Sequence, residues 1–273
     1  MPSFTTDALF SNDIRTGIIP ALDISLVTEK SKFQNVVRST ADVDGVLGYK
    51  LSGLYSLRKG LETTAQTLNE AIDSLNKNLS GRHKKILDYQ KFGSDGGAFM
   101  KGLVRDNHEL VDAFIYFPFT GPMGQKAIIE EIRKYKKVPI AGGKVTFVGA
   151  PESEGGYIPD SVINRMYLNS VLLDVPNYVF PASRPDDCQF YKGLLEKLLK
   201  EIGQKPNFFP TGLGKQGGDL IKAMDILSPS NSPSNVYFIV GREISEAPDP
   251  REAARKLAEV ALQHDTELLE KKS

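Results

Sequence analysis

The stretch Pro206-Asn-Phe-Phe-Pro-Thr-Gly-Leu-Gly-Lys-Gln-Gly-Gly-Asp219 runs from a short apolar segment through a cluster of glycines to the start of a helical segment. The apolar segment is too short for a helix and is bounded by turn residues, so it predicts a buried strand. Strand, glycine-rich loop and helix together form one β–α unit. The same alternation recurs along the chain, and it decides the fold.

Seven further apolar segments share these features: Gly17–Asp23, Gly45–Lys50, Lys85–Tyr89, Asp112–Phe117, Lys144–Gly149, Asn177–Pro181 and Val236–Gly241. Segments of helical period separate them, among them Leu54–Asn78, Pro122–Tyr135 and a final segment with Asp249 as its N-cap. Eight alternations predict the α/β class and a (β/α)8 TIM barrel, with a doubly wound open sheet as the alternative. We expect a single domain over residues 1–273, with a short N-terminal extension at 1–16.

Composition excludes several classes of function. The 34 basic and 34 acidic side chains cancel, which disfavours electrostatic capture of nucleic acid or of an acidic membrane. The only cysteine, Cys188, rules out a disulfide framework or a multi-thiolate zinc site within one chain. No signal peptide and no apolar stretch of about 20 residues is visible, so we expect a soluble, cytoplasmic protein without membrane partners.

Charged side chains lie where the predicted strands end. Asp23 ends the first strand and Lys50 the second, Asp88 and Lys91 lie at the third, and Arg242 follows the eighth. Barrels of this type build their active sites at the C-terminal ends of the strands. A strand-end charge is also often a solvated loop residue, and for each position alone that alternative stays open.

The histidines all fall away from these strand ends. His83 and His108 precede the third and fourth strands, and His264 lies in the last helix. A histidine base, a histidine-based zinc site and a Ser-His-Asp triad are therefore disfavoured. Carboxylates, lysines, one arginine and backbone amides remain available.

The glycine cluster after the seventh strand predicts phosphate binding. Glycines from Gly212 to Gly218, including Gly217, let main-chain N–H groups approach an anion, and the following helix adds its N-terminal dipole. Arg242 follows the next strand, and its guanidinium can bind phosphate with two donors. Barrels often bind phosphate between the loops after strands seven and eight.

Several segments together resemble the orotidine 5′-monophosphate decarboxylase family. They are Ala21-Leu-Asp23, Gly48-Tyr-Lys50, the segment Pro210–Asp219 and Ile239-Val-Gly-Arg-Glu-Ile-Ser-Glu-Ala-Pro-Asp-Pro250, followed by Ala253-Ala254. The resemblance runs from about Ile19 to Leu262. It implies a homodimeric carboxy-lyase that needs no cofactor and no metal and converts orotidylate to UMP in pyrimidine biosynthesis.

The resemblance also implies a role for individual residues. Asp23 and Lys50 would bind ribose hydroxyls, and Gln216, Gly217 and Arg242 would bind the phosphate. Ser153, in the loop after the fifth strand, would contact the pyrimidine. The catalytic residues would be Lys50, Asp88, Lys91 and Asp95, with Asp95 offered across the dimer interface.

The spacing of the catalytic residues differs from the usual family motif. That motif is Asp-x-Lys-x-x-Asp, whereas this chain reads Asp88-Tyr-Gln-Lys-Phe-Gly-Ser-Asp95. In a regular strand Asp88 and Gln90 would face one side and Lys91 the other, so a bulge is needed to bring Lys91 to the pocket. The segment after Asp95 also lacks the threonine that usually helps to bind ribose.

Two other functions remain open on the same scaffold. One is a metal-dependent sugar-phosphate decarboxylase or aldolase, which shares the paired aspartates and the lysine. The other is a nucleotide-binding barrel that keeps Gln216 and Arg242 and has lost turnover.

Overall fold

The computed structural model describes residues 7–11, 13–24, 26–52, 58–75, 82–89, 97–146, 148–214, 217–228 and 232–270. Eight parallel strands close into a barrel in chain order, which confirms the predicted (β/α)8 fold. The strands are β1 Thr16–Leu22, β2 Gly48–Ser52, β3 Lys84–Asp88, β4 Ala113–Tyr116, β5 Val138–Ala141, β6 Asn177–Pro181, β7 Asn207–Thr211 and β8 Asn235–Val240.

Helices follow the strands and form the outer ring. They are α1 Leu26–Thr40, α2 Arg58–Asp73, α3 Gly97–Asn107, α4 Pro122–Lys134, α5 Asp160–Leu172, α6 Pro185–Glu201, α7 Leu220–Leu227, the short α8 Arg242–Ser245 and α9 Pro250–Glu270. The predicted N-cap of α9 is confirmed, because the Asp249 carboxylate accepts the backbone N–H groups of Arg251 and Glu252 at 3.0 and 3.1 Å. Within the described ranges, no helix is long and apolar enough to cross a bilayer.

The predicted position of the fifth strand is wrong. The strand is Val138–Ala141, and the predicted segment Lys144–Gly149 belongs to the loop that follows it. Burial accounts for the difference, since β5 is buried along its length whereas Val148 is 80% exposed. The strand was missed because the nearby segment with Val145 and Val148 gave a stronger apolar signal than the run Val-Pro-Ile-Ala of β5.

Two layers of apolar side chains build the core. The outer layer lies between strands and helices and includes Phe33, Leu68, Tyr178 and Leu195. The inner layer fills the barrel with side chains that alternate with those of the outer layer along each strand: Ile19, Ala21, Ile86, Ala113, Ile115, Val138, Ile140, Val179, Phe209, Tyr237 and Ile239.

The N-terminal end of the barrel is closed by the segment that precedes β1. Leu9 and Phe10 join the inner layer, and the Phe10 ring lies 4.5 Å from that of Tyr237. The Asp7 carboxylate pairs with the Arg133 guanidinium of α4. Apolar packing and an ion pair therefore close this end of the barrel. The opposite end is where barrels of this type bind their ligands.

Candidate active site

Three charged side chains meet at the C-terminal ends of β1, β2 and β3. The Lys50 ammonium donates to Asp88 Oδ2 at 2.9 Å and to Asp23 Oδ1 and Oδ2 at 3.3 and 3.4 Å. The side chains of Lys50 and Asp88 are 9% and 14% exposed, whereas that of Asp23 is 52% exposed. The ammonium is thus buried between one enclosed carboxylate and one that is open to solvent.

Strand alternation turns these three side chains toward the barrel axis. The residues on either side of each charged position all belong to the outer layer, and they are Leu22, Ile24, Tyr49, Leu51, Leu87 and Tyr89. Because neighbouring residues of a strand point to opposite faces, Asp23, Lys50 and Asp88 face inward. In the sheet, Lys50 is in register with Ala21, two residues before Asp23, which brings the first two charges together.

The two carboxylates keep Lys50 charged. Burial alone would lower the pKa of this lysine, but the charges of Asp88 and then Asp23, together with their hydrogen bonds, raise its pKa well above the ordinary value. Lys50 is therefore an ammonium at every physiological pH. It is a fixed positive charge in a poorly hydrated place, where electrostatic effects are strong.

The predicted catalytic motif is described only in part. Regular alternation extends to Tyr89, whose hydroxyl accepts a hydrogen bond from Asn107 Nδ2 at 2.9 Å in the outer layer. Lys91 and Asp95 lie outside the described residues. Their roles remain predictions.

The loop after β7 is a compact glycine turn. Gly212, Gly214 and Gly217 have φ angles of +84°, +65° and +90°, which side-chain-bearing residues rarely adopt. Backbone N–H groups of Gly214 and Gly218 donate to the carbonyls of Gly218 and Gly212 at 2.8 and 3.0 Å. The turn then leads into α7, which Asp219 caps by accepting the backbone N–H of Lys222 at 3.0 Å.

Arg242 lies beside this turn. It is the first residue of α8, directly after β8, and its side chain is exposed. A methyl group added to Gly214 would overlap the Glu243 carboxylate, so the loops after β7 and β8 are in contact. Gln216, the other predicted phosphate ligand, lies outside the described residues, whereas Gly217 is part of the turn.

Ser153 lies in the loop after β5, as expected. Its hydroxyl donates to Asp160 Oδ1 at 2.9 Å, and its backbone N–H donates to Asp160 Oδ2 at 3.0 Å. In this conformation the hydroxyl is bound to the start of α5. Contact with a pyrimidine stays a prediction.

Sequence reasoning missed one charged cluster at the same end of the barrel. Lys144, Glu154, Arg184 and Asp187 form ion pairs between the loop after β5 and the start of α6. Lys144 was assigned to a strand, which concealed its place in a loop. Across the described part of the chain, no group of three or more His, Cys, Asp or Glu residues is placed to hold a metal ion.

Comparison with known proteins gives relatives that share one name. No family model matches the chain. The chain is 25% identical over 245 residues to orotidine 5′-phosphate decarboxylase of Methanocaldococcus jannaschii, a match that covers 89% of this chain and 99% of that protein. It is 32% identical over 150 residues to the Methanosarcina mazei protein of that name, covering 54% of this chain and 59% of the relative.

A solved structure shares the fold. The crystal structure of orotidine 5′-monophosphate decarboxylase from Methanocaldococcus jannaschii complexed with the inhibitor BMP superposes with a TM-score of 0.68 at 19% identity. The superposition covers 90% of this chain and 98% of that chain.

Proposed function

We propose that this chain, which belongs to the orotidine 5′-phosphate decarboxylase family, converts orotidine 5′-phosphate to UMP and carbon dioxide without a cofactor. The observation that supports this most is the Asp23–Lys50–Asp88 cluster facing the barrel axis. The glycine turn follows β7 and Arg242 follows β8, and β8 pairs with both β7 and β1. A phosphate bound at the glycine turn and Arg242 would therefore lie beside the charged cluster, an arrangement that suits a nucleotide monophosphate.

The substrate would span these strands with its phosphate at one end. Gln216, Gly217 and Arg242 would hold the phosphate, and Asp23 and Lys50 the ribose hydroxyls. The pyrimidine would then reach toward Asp88, Lys91, Ser153 and the Asp95 carboxylate of a second chain.

The reaction breaks the bond between the pyrimidine and its carboxylate carbon. The electron pair stays on the ring as carbon dioxide leaves, and the Lys91 ammonium stabilises that carbanion-like centre and then protonates it. Lys50, charged and held between two carboxylates, fixes the field in which this charge develops. Preorganised charges of this kind are often the largest single contribution to catalysis.

Binding of the phosphate contributes to the rate as well as to affinity. Contacts at Arg242 are far from the reacting carbon and are equally available before and during the reaction. Their binding free energy can nevertheless hold the base against Asp88, which lowers the barrier at the reacting carbon.

We also propose a homodimer that acts in pyrimidine biosynthesis. Large apolar side chains are exposed just beyond β3 and β4: Phe99 is 46% exposed, Phe119 37% and Met123 81%. An exposed apolar surface of this kind is suited to contact with a second chain. Mixing inactive Lys91→Ala and Asp95→Ala chains should restore part of the activity if sites are shared, whereas separate sites would give none.

The single cysteine fits a reducing compartment, and we propose the cytoplasm as the location. Cys188 packs in the core, and this burial raises the pKa of its thiol to about 12. The cysteine therefore carries no reactive thiolate.

Release of labelled carbon dioxide tests the proposed function. Purified protein would be incubated with orotidine 5′-phosphate labelled in its carboxylate carbon, and released carbon dioxide and UMP would be counted. Equal amounts of both products are expected. UMP binding without carbon dioxide release would instead indicate a nucleotide-binding barrel that lacks turnover.

A further inference from the structure

The loop between β5 and α5 is tied to the next β–α junction by two cations and two carboxylates. Lys144 Nζ lies 3.3 Å from Glu154 Oε1 and 3.3 Å from Asp187 Oδ2. Arg184, just after β6, binds Glu154 with both terminal nitrogens, with Nη2 to Oε2 at 2.9 Å. We call these four residues the rim network.

Glu154 is the centre of the rim network. Besides the two cations, its Oε2 atom accepts the backbone N–H of Gly149 at 2.9 Å. The hydrogen bond from Arg184, together with the Gly149 N–H and Lys144, lowers the pKa of Glu154 to about 2. One carboxylate thus joins the start of the loop, its middle and the neighbouring strand end.

The network is enclosed, although it lies at the rim of the barrel. The Lys144 side chain is 6% exposed, Arg184 15% and Glu154 19%. Buried ion pairs are inefficient stabilisers of a fold, because removing the charges from water opposes their attraction. Their attested use is to select one conformation among several of similar free energy.

The loop itself has a defined shape. A turn at Glu152–Glu154 is closed by backbone hydrogen bonds from Glu152 N to Ile158 O at 2.8 Å and from Gly156 N to Pro151 O at 2.8 Å. Its outer surface is open to solvent, with Val148 80% exposed and Tyr157 fully exposed. The network therefore fixes where a preformed loop lies at the mouth of the barrel.

We propose that Glu154 is a positioning residue, which holds the loop after β5 as a wall of the substrate pocket. This inference rests on the proposed function. Since Glu154 acts through the loop and touches no reacting atom, its effect falls on substrate binding, whereas bond cleavage at the charged cluster of β1–β3 is unaffected.

The test compares Glu154→Gln with Glu152→Gln. Glutamine keeps the size of the side chain and removes the charge, and Glu152 is an exposed residue of the same turn. For E154Q we expect KM for orotidine 5′-phosphate and Kd for UMP to rise together by about tenfold, the effect of displacing a positioning element by less than 1 Å, with kcat within about twofold of wild type. E152Q should match wild type in all three.

The outcomes separate this inference from the proposed function. A folded E154Q protein whose KM and Kd equal those of E152Q contradicts the positioning role, as does a loss confined to kcat. A merely structural role would lower the melting temperature and leave KM unchanged at temperatures where E154Q is folded. If the wild-type protein itself fails to release carbon dioxide, the proposed function fails and this inference falls with it.

If E154Q does not fold, Arg184→Lys provides a milder change. Lysine keeps the positive charge and loses the two-donor contact with Glu154. A raised KM with unchanged kcat would again support the positioning role, and an unchanged KM would overturn it.

Discussion

The Lys50 ammonium is buried between two carboxylates, and their charges keep it protonated. Its ammonium lies 2.9 Å from Asp88 Oδ2 and 3.3 Å from Asp23 Oδ1, so one cation is shared by two carboxylates. Without it, the field around the reacting carbon would lose the positive charge that lies between the two carboxylates, in a poorly hydrated place where electrostatic effects are strong.

Lys50→Met should therefore remove activity and stability together. We expect orotidine 5′-phosphate turnover to fall at least about 100-fold, which is the typical effect of losing one preorganised charge. The free energy of unfolding should fall by about 3 kcal/mol, because one partner of a buried pair is removed. Steady-state kinetics and urea unfolding measure the two effects. Lys126→Met, at an exposed position of α4, is the control.

Arg242→Ala should act mainly on binding. Loss of a charge-assisted contact with the phosphate is worth about 1.5–3 kcal/mol, or roughly 10- to 100-fold in Kd for UMP. Arg242 and Lys256 line one cleft between α8 and α9, so Lys256→Ala removes a nearby positive charge and serves as the control. Equal effects of the two substitutions would mean that Arg242 acts through general charge and makes no specific contact.

At the scale of elements, the sequence predicts each strand except the fifth. Seven strands were found because apolar runs alternate with turn residues, a local signal. For β5, the signal of Val145 and Val148 was stronger than that of the buried Val-Pro-Ile-Ala run, and only packing distinguishes the two. The rim network was missed for the same reason, since Lys144 is 10 residues from Glu154 and 43 residues from Asp187 and meets them only in the folded barrel.

The sequence predicts the positions of the strand-end charges but not the distances between them. Positions 23, 50 and 88 could be read from the chain, but the spacing of residues does not give the distance between Lys50 and each carboxylate. The sequence also does not predict that Asp88 is the buried carboxylate and Asp23 the exposed one. Burial depends on how β2 and β3 are staggered in the closed barrel, which no local pattern encodes.

The glycine turn gives a prediction at this scale. Gly214→Ala places a methyl group against Glu243 at a φ of +65°, so both contact and backbone strain oppose it. We expect about 1–2 kcal/mol of destabilisation and weaker UMP binding. Gly193→Ala in α6 is the matched control, because nothing lies within 4 Å of its added methyl group and alanine favours the helix by about 0.5–1 kcal/mol.

In the whole molecule, the two ends of the barrel have different roles, one in stability and the other in catalysis. The N-terminal end carries a ladder of asparagines on β6, β7 and β8: Asn235 Nδ2 donates to Asn207 Oδ1, and Asn207 Nδ2 donates to Asn177 Oδ1, each at 2.9 Å. Asn177 in turn donates to the backbone carbonyls of Asp7 and Pro139. In barrels of this type, residues at this end serve stability and residues at the other serve catalysis.

Asn207→Ala tests that division. It leaves Asn177 Oδ1 and Asn235 Nδ2 without their partner, so we expect about 1–3 kcal/mol of destabilisation in urea unfolding. The kinetic constants of the folded variant should equal those of the wild-type protein. A change in KM would show that the two ends are coupled.

Acid sensitivity is a second property of the whole molecule. The pKa of Glu154 is lowered from its ordinary 4.5 to about 2 in the folded protein, so its stabilising contribution is complete above pH 4.5 and disappears as the pH falls toward 2. The difference in free energy of unfolding between wild type and E154Q should be constant from about pH 8 to 5 and should shrink in that acid window. A difference that stays constant down to pH 2.5 would contradict the assigned ion pairs.

The initial rate at which orotidine 5′-phosphate absorbance declines, with purified protein and a metal chelator, tests the proposed decarboxylase activity most directly. The site of Lys50, Asp23 and Asp88, with phosphate held at Arg242, predicts steady turnover that the chelator does not slow and that yields UMP. No turnover, or turnover that returns only when a divalent metal is added, would contradict cofactor-free decarboxylation at this site.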